Sequence, residues 1–381
     1  IVLRGGGDPL LEASHLMGLC RELRAAGVHR VTGALVYDSG PVPRRTEINP
    51  DQPPDAGYNP GLSGLTLSFN RIRVTWRPKD PGGTVATQTI PPVRSVDVRR
   101  AGANPGPNQR WQPATRKART IWKLDPTARR RGQSSLPVKR PARVTAQVFR
   151  RVCQQAGVSL PRPRPGTAPA DAEVLARHQS QPVHSIVESM SRYSNNLVAE
   201  LLGLRVGRAL AGEPLGLRAS AGAVARWWRE TRPEAPWDGM RLPNHSGLTT
   251  QARLSPAQTL AMLRAPASRR AAGGARGLPS LLPASGADPG MRDRLDGPAT
   301  ALRVWAKTGT MVYASGLAGY LHTTNGTRAA FAVFVNDKAA RRAYDADPRR
   351  RRDTVQAAAD AWLERAKRLE DSLVRIWART R

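Results

Sequence analysis

The chain has 381 residues, 40% of them hydrophobic, and a net charge of +31 at pH 7. That length carries two domains or three with a substantial core, and no apolar run is long enough to span a bilayer as a helix. The charge comes mostly from scattered arginines, without zinc-finger spacing, an aromatic ribonucleoprotein signature or a basic region joined to heptads, so it reads as an Arg-rich surface and not as a specific nucleic-acid reader.

The first residues read as the end of a strand. The chain opens on Ile1 and not on Met, so the N-terminus reads as cut and any targeting signal as lost with it. Leu10 to Ala26 has helical spacing, and Val31 to Tyr37 reads as a strand. Thr66 to Asn70 and Ile72 to Trp76 suggest a pair of short strands, while Arg99 to Lys117 is polar and turn-rich. Val144 to Ala156 is again helical, and Pro161 to Gly166 reads as a stiff, extended linker. Cys20 and Cys153 each lie in a helix-like apolar stretch and read as two buried small hydrophobes; their spacing establishes no disulfide.

The second half is more helical. Ile186, Met190, Tyr193, Leu197, Leu201 and Leu204 share one stripe, interrupted by the turn-forming Ser194-Asn195-Asn196. Ser255-Pro256-Ala257-Gln258 is a helix start, with an N-cap Ser, Pro at the first helical position and Gln at the third. Arg269 to Gly290 reads as a long loop. Asn325-Gly326 between two apolar runs predicts a hairpin, because both residues tolerate positive φ. Val355, Ala359, Trp362, Ala366, Leu369, Leu373 and Ile376 form the stripe of a long C-terminal helix.

Three short motifs carry chemistry: Ser194-Asn195-Asn196, Asn244-His245-Ser246-Gly247-Leu248 and Lys307-Thr308-Gly309-Thr310. Alone, each reads as a turn, a loop or an exposed strand end. Together they hold what amide cleavage by acyl transfer requires: a hydroxyl that moves a proton (Ser194), an amide that orients a peptide group (Asn196) and a cation that holds a carboxylate (Lys307). Thr308 adds a hydroxyl for that carboxylate, Gly309 lets a substrate backbone lie against the strand, and Thr310 offers its backbone N–H to an oxyanion. The six histidines show no metal-ligand spacing, and adjacent His245 and Ser246 do not make a dyad.

With S-x-N and K-T-G in this order, the chain resembles the class C low-molecular-weight penicillin-binding proteins, the S13 peptidase family of D-Ala-D-Ala carboxypeptidases and endopeptidases. Gly7-Asp8-Pro9-Leu10, Val31 to Asp38, Tyr58 to Leu65 with Asn70, Ser191 to Glu200, Ser246-Gly247-Leu248 and Ala306 to Thr310 carry the likeness, with Asn195 where the family has Asp and Asn244-His245 where it has Asp-Gly.

The resemblance implies an α/β (α+β) fold of the serine β-lactamase/DD-peptidase type, an antiparallel sheet flanked by helices. Residues 1–10 would end the N-terminal part of that domain, 11–180 would form an inserted β-rich region, and 181–381 would hold the C-terminal part. It implies peptidoglycan stem peptides ending in D-Ala-D-Ala as substrates, β-lactams as inhibitors, a periplasmic location, and neither cofactor nor metal. The family's nucleophile lies in an S-x-x-K upstream of the G-D-P-x-L phrase. No Ser among these residues has Lys three positions on, so the chain as written is expected not to acylate. A non-catalytic wall-binding or scaffold protein is the alternative, and a basic polyanion-binding protein a further one.

Overall fold

The computed structural model describes residues 1–78, 85–92, 96–100, 111–116, 119–124, 131–267, 277–348, 350 and 353–379. In chain order the first elements are β1 (Val2–Arg4), α1 (Ala13–Ala25), β2 (Leu35–Asp38), β3 (Arg71–Pro78), β4 (Val85–Ile90), β5 (Val96–Arg100), β6 (Trp111–Arg116), β7 (Arg119–Leu124), β8 (Gly132–Pro137), α2 (Pro141–Gln155) and β9 (Pro163–Pro165). There follow α3 (Val183–Tyr193), α4 (Asn196–Ala211), α5 (Leu217–Thr231), α6 (Pro256–Ala267), β10 (Val304–Met311), β11 (Ala314–His322), β12 (Arg328–Asn336), α7 (Lys338–Ala346) and α8 (Asp353–Arg379). The chain divides into two compact units, one of residues 1–181, 196–224 and 243–250, the other of 182–195, 225–242 and 251–381.

Among the described residues, the first unit holds three small sheets, ordered β1-β2-β9, β4-β3-β8 and β5-β7-β6. One cluster joins α1 (Leu16, Cys20, Leu23) to α2 (Val148, Phe149, Val152, Cys153) and to inward residues of the strands, among them Ile72, Val74, Trp111, Trp122 and Leu136. Alternation along β3 explains its share: Ile72, Val74 and Trp76 are buried while Arg73 and Arg77 are exposed. A second cluster sets Leu197, Leu201 and Leu204 of α4, spaced four and three apart, against Val42, Ile48 and Leu62.

Several expectations are corrected here. Cys20 and Cys153 are not free hydrophobes but a disulfide that ties α1 to α2, with Cα atoms 4.9 Å apart. Helical phase puts both sulfurs on the facing stripes, a juxtaposition that spacing along the chain cannot express. Thr66 to Asn70 is no strand: Ser68, Phe69 and Asn70 all take positive φ in a tight turn, held by Asn70, whose Oδ1 accepts from Leu67 N–H and whose Nδ2 donates to Gly61 C=O. Pro161 to Gly166 is extended but is no linker, because Pro163–Pro165 pairs parallel with β2 at the sheet's edge, where a missing N–H is tolerated. Within Arg99 to Lys117, Trp111 is an anchor, 1% exposed on β6; residues 101–110 and 117 lie outside the described part.

The second unit is built on the antiparallel sheet β10-β11-β12, in register from Val304↔Leu321 and from Ala314↔Asn336. Its core joins Val304, Ala306, Leu317, Leu321, Phe331 and Val333 to Val374 and Ala378 of α8. The helix start at Ser255 is a reciprocal capping box: Gln258 N–H donates to Ser255 Oγ at 3.1 Å, and Ser255 N–H to Gln258 Oε1 at 2.9 Å. The β11–β12 hairpin forms, but of the Asn-Gly pair only Gly326 has positive φ (88°), and Asn325 instead accepts the Thr327 N–H on its side chain. On α8 the buried seam also departs from the expected stripe. Leu369 and Ile376 are 50% and 62% exposed, whereas Glu370 is fully buried against Arg294, whose guanidinium reaches Glu370 at 2.8 Å and Asp371 at 2.6 Å.

Candidate active site

Ser194 and Lys307, 113 positions apart, come together within the second unit: the Lys307 ammonium donates to Ser194 Oγ. Each is positioned by its local sequence. Helix α3 stops at Ser194, which takes a left-handed conformation (φ 51°, ψ 45°) and donates its N–H to Met190 C=O. That conformation costs an L-residue about 1 kcal/mol and lifts the hydroxyl off the helix path. The last turn of α3 is pinned by Arg192, which pairs with Glu188 at 3.0 Å and with Asp288 at 3.5 Å. Lys307 alternates with Ala306 on β10: the alanine points into the core, and the lysine takes the other face.

Lys307 also donates to Thr308 C=O at 2.6 Å. Burial lowers its pKa to about 8, because the charged form gives up water. Near pH 7 it therefore stays mostly protonated while remaining able to release a proton, the dual character of a carboxylate anchor that also takes part in proton transfer.

The rim of β10 beside Lys307 is accessible backbone. Ser285 N–H donates to Val304 C=O and Ala306 N–H to Pro283 C=O, so the segment 283–285 pairs with the outer side of β10 as far as Ala306. Strand alternation turns the backbone groups of Thr308 and Thr310 to the same side, past the end of that segment. Gly309 and Thr310 are exposed, and a Cβ at Gly309 would meet only the Gly316 carbonyl oxygen, 4.0 Å away. Main-chain donors and acceptors are thus presented next to a cation, the arrangement that an extended peptide with a carboxylate end can pair with.

Asn196 begins α4 and belongs to the first unit, where its Nδ2 donates to Tyr58 C=O at 3.1 Å. The Tyr-Asn phrase around it is structural. Asn59 is fully buried and accepts the N–H groups of Ile48 and Asn49 on one side-chain oxygen while donating to Asn49 C=O.

Glu200 closes the Ser191–Glu200 phrase, but the motifs assigned it no role. It is fully buried on α4, one position before Leu201 of the apolar stripe, and its carboxylate accepts from His245 N–H, Ser246 N–H and Ser246 Oγ, the last at 2.6 Å. Burial raises its pKa, an effect that these hydrogen bonds oppose. Asn49 adds a second tie to the same loop, donating to Leu248 C=O at 2.9 Å. His245 turns away from Ser246, and its Nε2 meets Ser220 Oγ at 2.9 Å. Half-buried against Gly203, it is held neutral, its pKa lowered by desolvation to about 4. The sequence signal for this cluster was a lone acid beside an apolar helical stripe.

The comparisons with known proteins extend this picture beyond the motifs. The chain is 29% identical to a D-alanyl-D-alanine carboxypeptidase of Actinomadura sp. (strain R39), over 88% of the chain and 65% of that protein. It is 24% identical to the D-alanyl-D-alanine carboxypeptidase DacB of Haemophilus influenzae, over 88% of the chain and 71% of the relative. It thus spans about two thirds of the length of these curated relatives. The crystal structure of penicillin binding protein 4 (dacB) from Haemophilus influenzae superposes with a TM-score of 0.74 at 21% identity, covering 96% of the chain and 82% of that structure, so the fold is of the expected DD-peptidase type. The sequence model of the D-Ala-D-Ala carboxypeptidase 3 (S13) family runs through both units, from residue 1 to residue 361, and with that coverage the chain belongs to this family.

Proposed function

We propose that this chain carries the recognition face of a serine-type D-Ala-D-Ala carboxypeptidase or endopeptidase, acting on peptidoglycan stem peptides through an acyl-enzyme. The observation that carries the reading is the Lys307–Ser194 hydrogen bond beside the accessible edge at Thr308–Thr310. Lys307 and the Thr308 hydroxyl hold the terminal carboxylate. The substrate backbone extends along β10, with Gly309 leaving room and the Thr310 N–H directed at the developing oxyanion. Ser194, hydrogen-bonded to Lys307, relays the proton to the departing amine.

No Ser among these 381 residues has Lys three positions on, and this reading places the acylated serine in an S-x-x-K upstream of them. β-Lactams acylate the same serine on this reading; a Haemophilus influenzae structure of this fold was determined with a bound β-lactam. The periplasm is the matching compartment.

Fluorescent-penicillin labelling tests the proposal, comparing this chain with the same chain extended upstream through the nearest S-x-x-K. Label on the extended form alone, abolished by Lys307→Ala, supports the enzyme. Absence of label on both overturns it in favour of a non-catalytic wall-binding protein.

A further inference from the structure

The first unit contains a cavity of about 390 Å³ in which none of the residues assigned to peptide chemistry takes part. Among the described residues, twelve line it, of which five are cationic (Arg44, Arg45, Lys139, Arg140 and Arg143) and none is Asp or Glu. Two carboxylates lie behind this wall: Glu47, 2.9 Å from Lys139, and the buried Glu200, which Arg45 stabilises electrostatically. Helix α2 begins at the cavity, with Arg140 at its N-cap, no side-chain cap and no acidic residue in its first turn. Buried Tyr37 and Leu62 supply an apolar wall.

From this juxtaposition we propose that the cavity binds a small organic anion carrying two or more oxyanion groups, carboxylate or phosphate. Like charges lining one cavity repel one another, and a ligand with paired oxygens offsets that repulsion through charge-assisted hydrogen bonds. The positive end of α2 adds to the attraction. The volume lies in the range of small-molecule sites and exceeds what a single inorganic ion fills, so the apolar wall receives the ligand's carbon body. The site is independent of the peptidase reading and survives its failure.

The test is titration calorimetry on the 381-residue chain with citrate, inorganic pyrophosphate and long-chain polyphosphate at physiological ionic strength. The expected result is saturable 1:1 binding of citrate or pyrophosphate, the tighter of the two identifying carboxylate or phosphate as the recognised group. The exposed pair Arg44→Gln/Arg140→Gln is expected to weaken that binding about tenfold or more, the scale of lost charge-assisted hydrogen bonds. The control Arg365→Gln/Arg368→Gln, on the exposed face of α8, removes the same charge and is expected to leave binding unchanged. Equal weakening by both pairs, no saturable binding of either small anion, or binding of polyphosphate alone would each overturn the site in favour of a diffuse basic field.

Discussion

Cutting the link between α1 and α2 by Cys20→Ala/Cys153→Ala gives a direct test of how the first unit is held together. The disulfide joins positions 133 apart. In the chain-entropy account, closing a loop of that length removes about 17 cal/mol/K from the unfolded ensemble, worth roughly 5 kcal/mol at 25 °C. Against a typical domain stability of about 5–15 kcal/mol, this is a third or more of the total. Both sulfurs are fully buried, so the alanines also leave a small void, and chemically reduced wild type serves as the control in which the thiols still fill the space.

Urea denaturation is the assay, read through hydrogen exchange in α1 and α2 so that the second unit does not contribute. A loss of about 5 kcal/mol moves the midpoint down by roughly 2 M or more at ordinary urea sensitivities. A change below about 1 kcal/mol in both the reduced protein and the double variant would refute the argument, as would two titratable thiols in protein purified under oxidising conditions.

Three further outcomes follow from the geometry. If Lys307 holds the peptide carboxylate as proposed, affinity falls as pH rises through about 8, well below the ordinary lysine range; in the same window fold stability rises relative to Lys307→Met, since the unfolded chain then binds the extra proton, and pH-dependent peptide binding and unfolding check both signs. Gly203→Ala sets a Cβ 2.0 Å from the His245 ring and is expected to cost about 1–3 kcal/mol by overpacking, a penalty that a double-mutant cycle with His245→Ala should largely erase. Arg294→Ala leaves Glu370 buried without its guanidinium and is expected to destabilise the second unit by about 3–5 kcal/mol in urea denaturation, more than Arg294 and Glu370 replaced together by apolar residues.

The sequence was most informative where local chemistry decides local structure. The Ser255–Gln258 capping box, the alternation along β3 and the break at Ser194 follow from side-chain hydrogen bonding and period. The joint motifs pointed to Ser194 and Lys307 because both residue types are needed by one reaction. It was least informative where a partner far along the chain changes the meaning of a residue. Glu370 belongs to a buried seam only because Arg294 meets it, so a purely apolar stripe on α8 chose Leu369 and Ile376 instead. Glu200 stands in the sequence only as the end of the Ser191–Glu200 phrase, and its burial follows from the loop at His245–Ser246 folded over it. Pro163–Pro165 reads as a linker until β2 is beside it.

The first unit is assembled from three separate stretches of chain, which has a consequence for how the protein comes into being. Leu62 and its neighbours wait for Leu197, Leu201 and Leu204, and Glu200 waits for Ser246, so this second cluster closes only once residue 248 or so has been made. At ordinary synthesis rates the ribosome needs roughly 10–40 s to travel from the first of these positions to the last. Through that interval the nascent N-terminal half carries an open apolar face and a thiol at Cys20, whose partner at position 153 arrives midway. A chaperone or translocation channel that delays collapse until the third stretch emerges would suit this order of assembly, and early pairing of Cys20 with a foreign thiol is the error it would have to prevent.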